Sequence, residues 1–235
     1  MEKYLEKFLK RLEKWKGSLV RVKSIEHSHS KEYLNKLAKR GIVERIKWGW
    51  YWIPDDVKDI WEFLEKDRNF KVISSQSAAS FWNHDFIHRD IVVIKVNNKS
   101  YGEAVKEFCR RRGWEIEVEY VKDISRIGYV KVGNLKIEKI DECIIDCFKH
   151  WAFMDAFATL YVNRNKVNIR RLFQDNYWKR IPHSQIRIGQ VLKYGFSLFN
   201  EKGRRSIFPI FGKEVADKFL KEEIEEAVEK VAEIG

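Results

Sequence analysis

Cysteine is scarce in this 235-residue chain, and its three copies, Cys109, Cys143 and Cys147, are too few and too unevenly spaced for a disulfide framework. No Cys-x-x-Cys pair supplies half of a zinc site. Proline, with three residues, and glycine, with 12, are also rare, and no Gly/Ser-rich hinge separates one part of the chain from another. Long apolar runs are missing. The opening MEKYLEKFLKRLEKWKG is charged throughout, which suits neither a secretion signal nor a membrane span, so a cytoplasmic protein without membrane contact is expected. A Gly-rich phosphate loop and a Gly-x-Ser-x-Gly turn are absent too, and no cofactor or catalytic residue is expected from motifs of that kind.

What the chain has is apolar and positive. Hydrophobic residues make up 44% and aromatics 14%, enough to bury sizeable cores. Net charge is +11, and its placement is uneven: residues 1–54 hold 14 Lys/Arg against 6 Asp/Glu, or +8, leaving 32 against 29, or +3, for the rest. A polyanionic partner is therefore expected to meet the first quarter of the chain. The abundance of Lys, Glu and Ile with little Gln suits a thermophile.

Apolar spacing organises the N-terminal region. Leu5, Phe8, Leu9, Leu12 and Trp15 recur at helical intervals, predicting a helix over Tyr4–Trp15 that Gly17 and Ser18 end. A short second helix is predicted across Val22–Glu26. The polar run His27-Ser28-His29-Ser30 offers capping hydroxyls to a third helix, SKEYLNKLAKRG, with Leu34, Leu37 and Ala38 inward and Gly41 as its exit. Ile42–Ile46 and Trp50–Ile53 then read as a hairpin turning at Lys47-Trp48-Gly49. This order is that of a winged helix-turn-helix, so residues 1–54 are expected to bind duplex DNA. Val43, Tyr51, Ile53 and Ile46 suit the hairpin's inner face; Trp50 and Trp52 point the other way, where packing against a neighbouring module competes with stacking on unpaired bases.

Residues 55–68 read as a helical connector and 69–235 as an α/β domain with a helical C-terminal half, an α+β protein overall. A helix begins near Ser75–Ser77, DIVVIKV is a strand, Ala104–Arg112 a helix and WEIEVEYV a strand; Ile127–Ile137 forms strands turning at Gly133-Asn134. Helices follow in ECIIDCFKHW, MDAFATLYVNR, NIRRLFQDNYW and SQIRIGQVLKYG. Residues 163–213 are basic, with Asp175 and Glu201 their only acids, and 214–233 read as an acidic amphipathic helix that folds back on them or leaves them to a partner.

The segment LNKLAKRGIVERI-x-x-G-x-Y-x-IP resembles the N-terminal domain of AbiEi-type proteins, the transcription-regulating antitoxins of abortive-infection (type IV) toxin–antitoxin operons. VISSQSAASFW, VGNLKIEKIDECIIDCF and RIGQVLKYG resemble later segments of that family in the same order, so the likeness covers about Lys14 to Gly195. It departs at Trp48, where a basic wing residue is usual, and residues 196–235 have no counterpart. The resemblance implies a regulator that represses its own operon, with operator DNA as partner and a nucleotidyltransferase-type toxin as the protein it counteracts.

Groove geometry picks the candidate residues. Ser28, His29, Lys31, Glu32 and Asn35 lie near the N-terminal end of the third helix, where base edges are within reach; Asn35 suits adenine and Glu32 a cytosine amino group. Lys36, Lys39, Arg40, Arg45 and Lys47, with Arg21 and Lys23 before them, suit phosphate contacts. Trp48 suits a sugar or groove-floor contact. All of these compete with a plain solvated charged face. Two other functions compete as well: a metal-dependent nuclease built on Asp90 with Glu115 or Glu117, although Glu117 is followed by Val118-Glu119 and lacks the usual Glu-x-Lys, and a protein-binding adaptor. His84 and His88 form a weak zinc-like pair, and Cys143 with Cys147 reads as core filling.

Overall fold

The computed structural model describes residues 2–83, 91–163, 166 and 167, together with 222, 225, 226, 229 and 230. The chain mixes helices with two sheets and divides into two compact units. The first contains Met1–Ile73, Asp90–Arg126 and Lys131–Lys136; the second contains Ser74–Arg89, Ile127–Val130 and Ile137–Gly235. The sequence-based segments 1–54, 55–68 and 69–235 do not coincide with these units. Residues 1–54 share the first unit with residues up to position 136, and the packing of the hairpin explains why.

In the first unit, α1 (Glu2–Leu12) buries Leu5, Phe8 and Leu12, and its end tightens into a 3-10 turn at Glu13–Trp15. Gly17, at φ +73°, turns the chain, and a Cβ there would lie 2.9 Å from the Lys66 Cβ. Next comes β1 (Ser18–Arg21), a strand the sequence reading did not anticipate. The helix expected over Val22–Glu26 is only a 3-10 turn, Val22–Ser24. The sheet claims SLVR as a strand, with Leu19 opposite Trp52 and Val20 opposite Tyr51, and few residues remain before the next helix.

That helix, α2 (Ser30–Lys39), buries Leu34 and Leu37. Its start differs from expectation, because no hydroxyl caps it. His29 occupies the cap position, its backbone N–H donates to His27 Nδ1 at 3.1 Å, and Ser30 Oγ donates back to the Val22 carbonyl at 3.3 Å. Gly41 (φ +70°) lets the chain leave through the left-handed region, as the sequence reading expects. The hairpin is β2 (Glu44–Lys47) and β3 (Trp50–Ile53), joined at Trp48-Gly49. Arg45 pairs with Tyr51 and Lys47 with Trp50, so Ile46 is the extra residue of a bulge.

β3 is the central strand of the order β1-β3-β2, and all four of its residues are buried. One face, Tyr51 and Ile53, joins Val43, Phe8, Leu34 and Leu37 in a single core. On the other face Trp52 packs on Phe63 of α3 (Ile60–Lys66) and Phe108 of α5 (Lys99–Arg112), with ring centroids 5.7 and 4.6 Å away. Trp50 donates its Nε1–H to Ser100 Oγ at 2.7 Å. Arg111 seals the rim by donating to the carbonyls of Arg45 and Ile46 at 3.0 and 2.7 Å. A strand covered on both faces reads as the unbroken apolar run WYWI.

Numbered in chain order, α4 is Ser75–Trp82, and the remaining strands are β4 (Val72–Ile73), β5 (Val92–Val96), β6 (Ile116–Tyr120), β7 (Tyr129–Val132) and β8 (Leu135–Glu138). The five-stranded sheet runs β6-β5-β4-β8-β7. β5 and β6 are parallel, connected by α5, which Asn98 caps by accepting from the Tyr101 amide at 3.1 Å. Beneath this lies a buried polar hub. The Asp67 carboxylate accepts from the Leu19 amide (2.9 Å), Asn69 Nδ2 (2.9 Å), the Tyr101 hydroxyl (2.5 Å) and Lys71 Nζ (3.1 Å). It ties β1 to α5.

The second unit packs α4, α6 (Ile140–Lys149) and α7 (Phe153–Val162) together. Cys143 and Cys147 lie on the inner face of α6, and all three cysteines of the chain are buried outside any disulfide. Burial pushes the Cys109 thiol up to about 12 and the Cys147 thiol well above its ordinary value. A raised thiol pKa favours the native state below the unfolded value of 9.0, and for Cys109 that advantage is lost as pH climbs from there toward about 12. Native protein at pH 8 is accordingly expected to resist a disulfide-exchange thiol reagent that labels three cysteines once urea unfolds it; fast labelling of the native form would contradict this core role. Among the described residues no helix is long and apolar enough to cross a membrane. The helices expected in NIRRLFQDNYW and SQIRIGQVLKYG, all of the basic zone 163–213 but residues 163, 166 and 167, and most of the acidic segment 214–233 lie outside the described residues.

Candidate nucleic-acid interface

Three elements of the first unit frame a groove: the 3-10 turn after β1, one flank of α2, and the β2–β3 tip. Its position follows from local chemistry. The Val22 amide donates to the Gly49 carbonyl at 3.0 Å and fastens the turn to the hairpin tip. Gly49, at φ +77°, permits the reversal that brings Trp48 back over the groove. Lys31 and Asn35, four residues apart, stand one turn above the other on α2.

The resulting cavity measures about 380 Å³ and is lined by Arg21, Lys23, Lys31, Asn35, Arg45, Trp48, Tyr51 and Ser100, with Val22 and Gly49. Four cations and no carboxylate line it. Trp48 is 76% exposed, and both Lys31 (5.4 Å) and Arg45 (5.2 Å) hold their charges over its ring. Such an aromatic, wet on most of its surface and dressed with two cations, contributes little to any core.

The sequence-predicted residues divide into three groups. Arg21, Lys23, Lys31, Asn35, Arg45 and Trp48 come together in the groove. Ser28, His29, Glu32, Lys39 and Arg40 are exposed around α2 but do not line it, and Lys36 is half-buried beside Glu32. Glu32 is engaged by Lys36 at 2.7 Å and lies 3.7 Å from His29; the Lys36 hydrogen bond is the main reason its carboxyl is held below the usual value. Lys47, half-buried on β2, does not line the groove. After the hydrogen bond from the Tyr120 hydroxyl and the charge of Lys106, its charge and that of Lys99 help to hold the Glu103 carboxyl low.

Asn35 is more constrained than its sequence position suggests. Its Oδ1 accepts the Tyr51 hydroxyl at 2.5 Å, which fixes the amide plane and uses one lone pair of that oxygen. Tyr51 and Ser100 belong to the site although the sequence reading did not single them out as binding residues. Tyr51 was recognisable as a core residue of the strand; Ser100 has no local signal, because only the crossing of α5 past the hairpin brings it here.

No protein-family model and no curated protein matches this chain. The site therefore stands on its own geometry.

The residues of the competing nuclease reading fall only partly within the described structure. Glu117 lies on β6 and Glu115 just before it, both exposed, while Asp90, like His84 and His88, lies outside the described residues. Among the described residues no three His, Cys, Asp or Glu side chains gather in a way that would hold a metal ion.

Proposed function

We propose that residues 1–54 form a winged helix-turn-helix and that the chain is a sequence-specific duplex-DNA-binding transcription regulator. The single observation that carries this reading is the acid-free groove, where four cations, Asn35 and an exposed tryptophan share one side of α2 and the hairpin tip. An α-helix is about 10–12 Å across with its side chains and fits a major groove about 12 Å wide, along which α2's ten residues extend about 15 Å. In that pose Asn35 Nδ2 donates to a base edge, Arg21, Lys23, Lys31 and Arg45 neutralise phosphates, and Trp48 reaches sugar or groove floor. The second helix of the usual motif is reduced here to the Val22–Ser24 turn. The exposed pair Glu32–Lys36 opens readily on contact, so Glu32 keeps its proposed part beside a cytosine amino group.

The AbiEi-like segments extend the proposal: the chain represses its own operon and acts as antitoxin to a nucleotidyltransferase-type toxin. That extension rests on resemblance alone, and the DNA-binding proposal does not depend on it.

The experiment is a salt titration of binding to labelled duplex from upstream of the chain's own gene. Four groove cations, at about 0.9 per neutralised phosphate, give a log–log slope of about −3.6 or steeper. Lys31→Ala and Arg45→Ala should each flatten it by about 0.9, and Asn35→Ala should weaken that duplex by more than scrambled DNA. A slope that is flat in the parent protein would end the proposal.

A further inference from the structure

We propose that the first unit carries a second anion site, separate from the groove, in a cavity of about 390 Å³ lined by Lys16, the end of α3, residues 67–71 and the tip of the β7–β8 hairpin, and that it takes a compact polyanion of the oligophosphate class. No residue lines both this cavity and the groove. Its volume falls within the range of small-molecule pockets, about 300–1,000 Å³.

The lining is unbalanced in charge. Lys16, Lys66, Arg68, Lys71 and Lys136 face Glu65 and Asp67, five cations against two carboxylates. Asp67 is already committed to four donors, including Lys71, and that pair forms a buried floor. Lys66 is engaged by Asp55 at 3.0 Å. Three cations then remain against Glu65: exposed Lys16 and Arg68, and half-buried Lys136, whose ammonium rests 4.6 Å from the Phe70 ring centroid. Burial is the main reason the Lys71 amine lies below its ordinary value; Asp67 opposes that lowering and Lys136 adds a smaller push in the same direction as burial. A ligand with several closely spaced negative oxygens answers three convergent cations, and the exposed Asn134 side chain on the hairpin tip adds neutral donors. A single carboxylate would leave most of that charge unanswered.

The test is calorimetric titration of the full chain with inorganic tripolyphosphate at about 0.15 M salt, where attraction between distant exposed charges is largely screened. Arg68→Glu/Lys136→Glu should weaken binding by about tenfold or more, and Lys31→Glu/Arg45→Glu should leave it within about twofold. Duplex binding should respond in the opposite order, and its survival in the cavity variant shows that the unit is folded. If the double reversal fails to fold, the single change Arg68→Ala is read instead, with a loss of about threefold or more expected. No binding by the parent chain, equal weakening by both double variants, or loss confined to the groove variant would each overturn the proposal.

Discussion

Trp52→Ala is expected to destabilise the first unit by about 3–5 kcal/mol, the range for truncating a large buried aromatic. Trp52 is only 3% exposed and packs against both Phe63 and Phe108, with the Arg112 guanidinium 5.7 Å from its ring centroid. Its removal empties the aromatic contact that, beside the hydrogen bonds of Trp50 and Arg111, joins residues 1–54 to α3 and α5. Native-state hydrogen exchange reads the effect best: the amides of β3 and α5 should open with a common free energy, and both should fall together in the variant. A loss under about 1 kcal/mol, or exchange in which β3 opens long before α5, would mean that the N-terminal segment is an independent module. The functional consequence concerns precision. The hairpin tip that presents Trp48 and Arg45 is held from behind by α5, through Arg111 on two hairpin carbonyls and through Arg111 and Arg112 on Glu44 at 3.1 and 3.0 Å. A site backed in this way loses little freedom when it docks.

Asp67→Ala should cost a comparable amount, about 3–5 kcal/mol, because breaking a buried pair from one side leaves the other charge uncompensated. Four donors lose a bond together: the Leu19 amide, Asn69 Nδ2, the Tyr101 hydroxyl and Lys71 Nζ. Burial already lowers the Lys71 amine, and Asp67 is what opposes that lowering, so its removal moves the amine further down. The sign of the pH dependence follows. With a native pKa below the unfolded 10.5, the unfolded state binds more protons in between, and the variant's stability should rise as pH rises toward 10.5. Lys71→Met in the Asp67→Ala background should recover part of the loss, since an apolar side chain of similar length carries no charge to desolvate. Urea unfolding at several pH values checks all three statements; a double variant less stable than Asp67→Ala would refute the account.

Local pattern made much of the first unit legible. The three-and-four spacing of Leu5, Phe8 and Leu12 located α1, Leu34 and Leu37 located α2, and Gly41 and Gly49 marked positions that need positive φ. β1 was hidden because SLVR is four residues long and its strand character is conferred by pairing with Trp50–Ile53, about 30 residues away in sequence. The absent hydroxyl cap on α2 has the same origin: Ser30 is turned inward to a carbonyl of the 3-10 turn, a contact that depends on where that turn lies.

Composition and spacing alone determined that positive charge is concentrated in residues 1–54, that a basic helix precedes an aromatic hairpin there, and that Cys143 and Cys147 are core residues, since charge, periodicity and apolarity are properties of side chains in order. Only the tertiary structure decided which of the cations share a surface. Arg21, Lys23, Lys31 and Arg45 line one groove with Trp48 and no acid among them, whereas Lys36 is paired with Glu32 and Lys47 does not line the groove. The physical reason is that a field is a sum over neighbours in space. Residues 21, 31, 45 and 100 become neighbours only when β1, α2, the hairpin and α5 have packed, and nothing in their order along the chain records that sum.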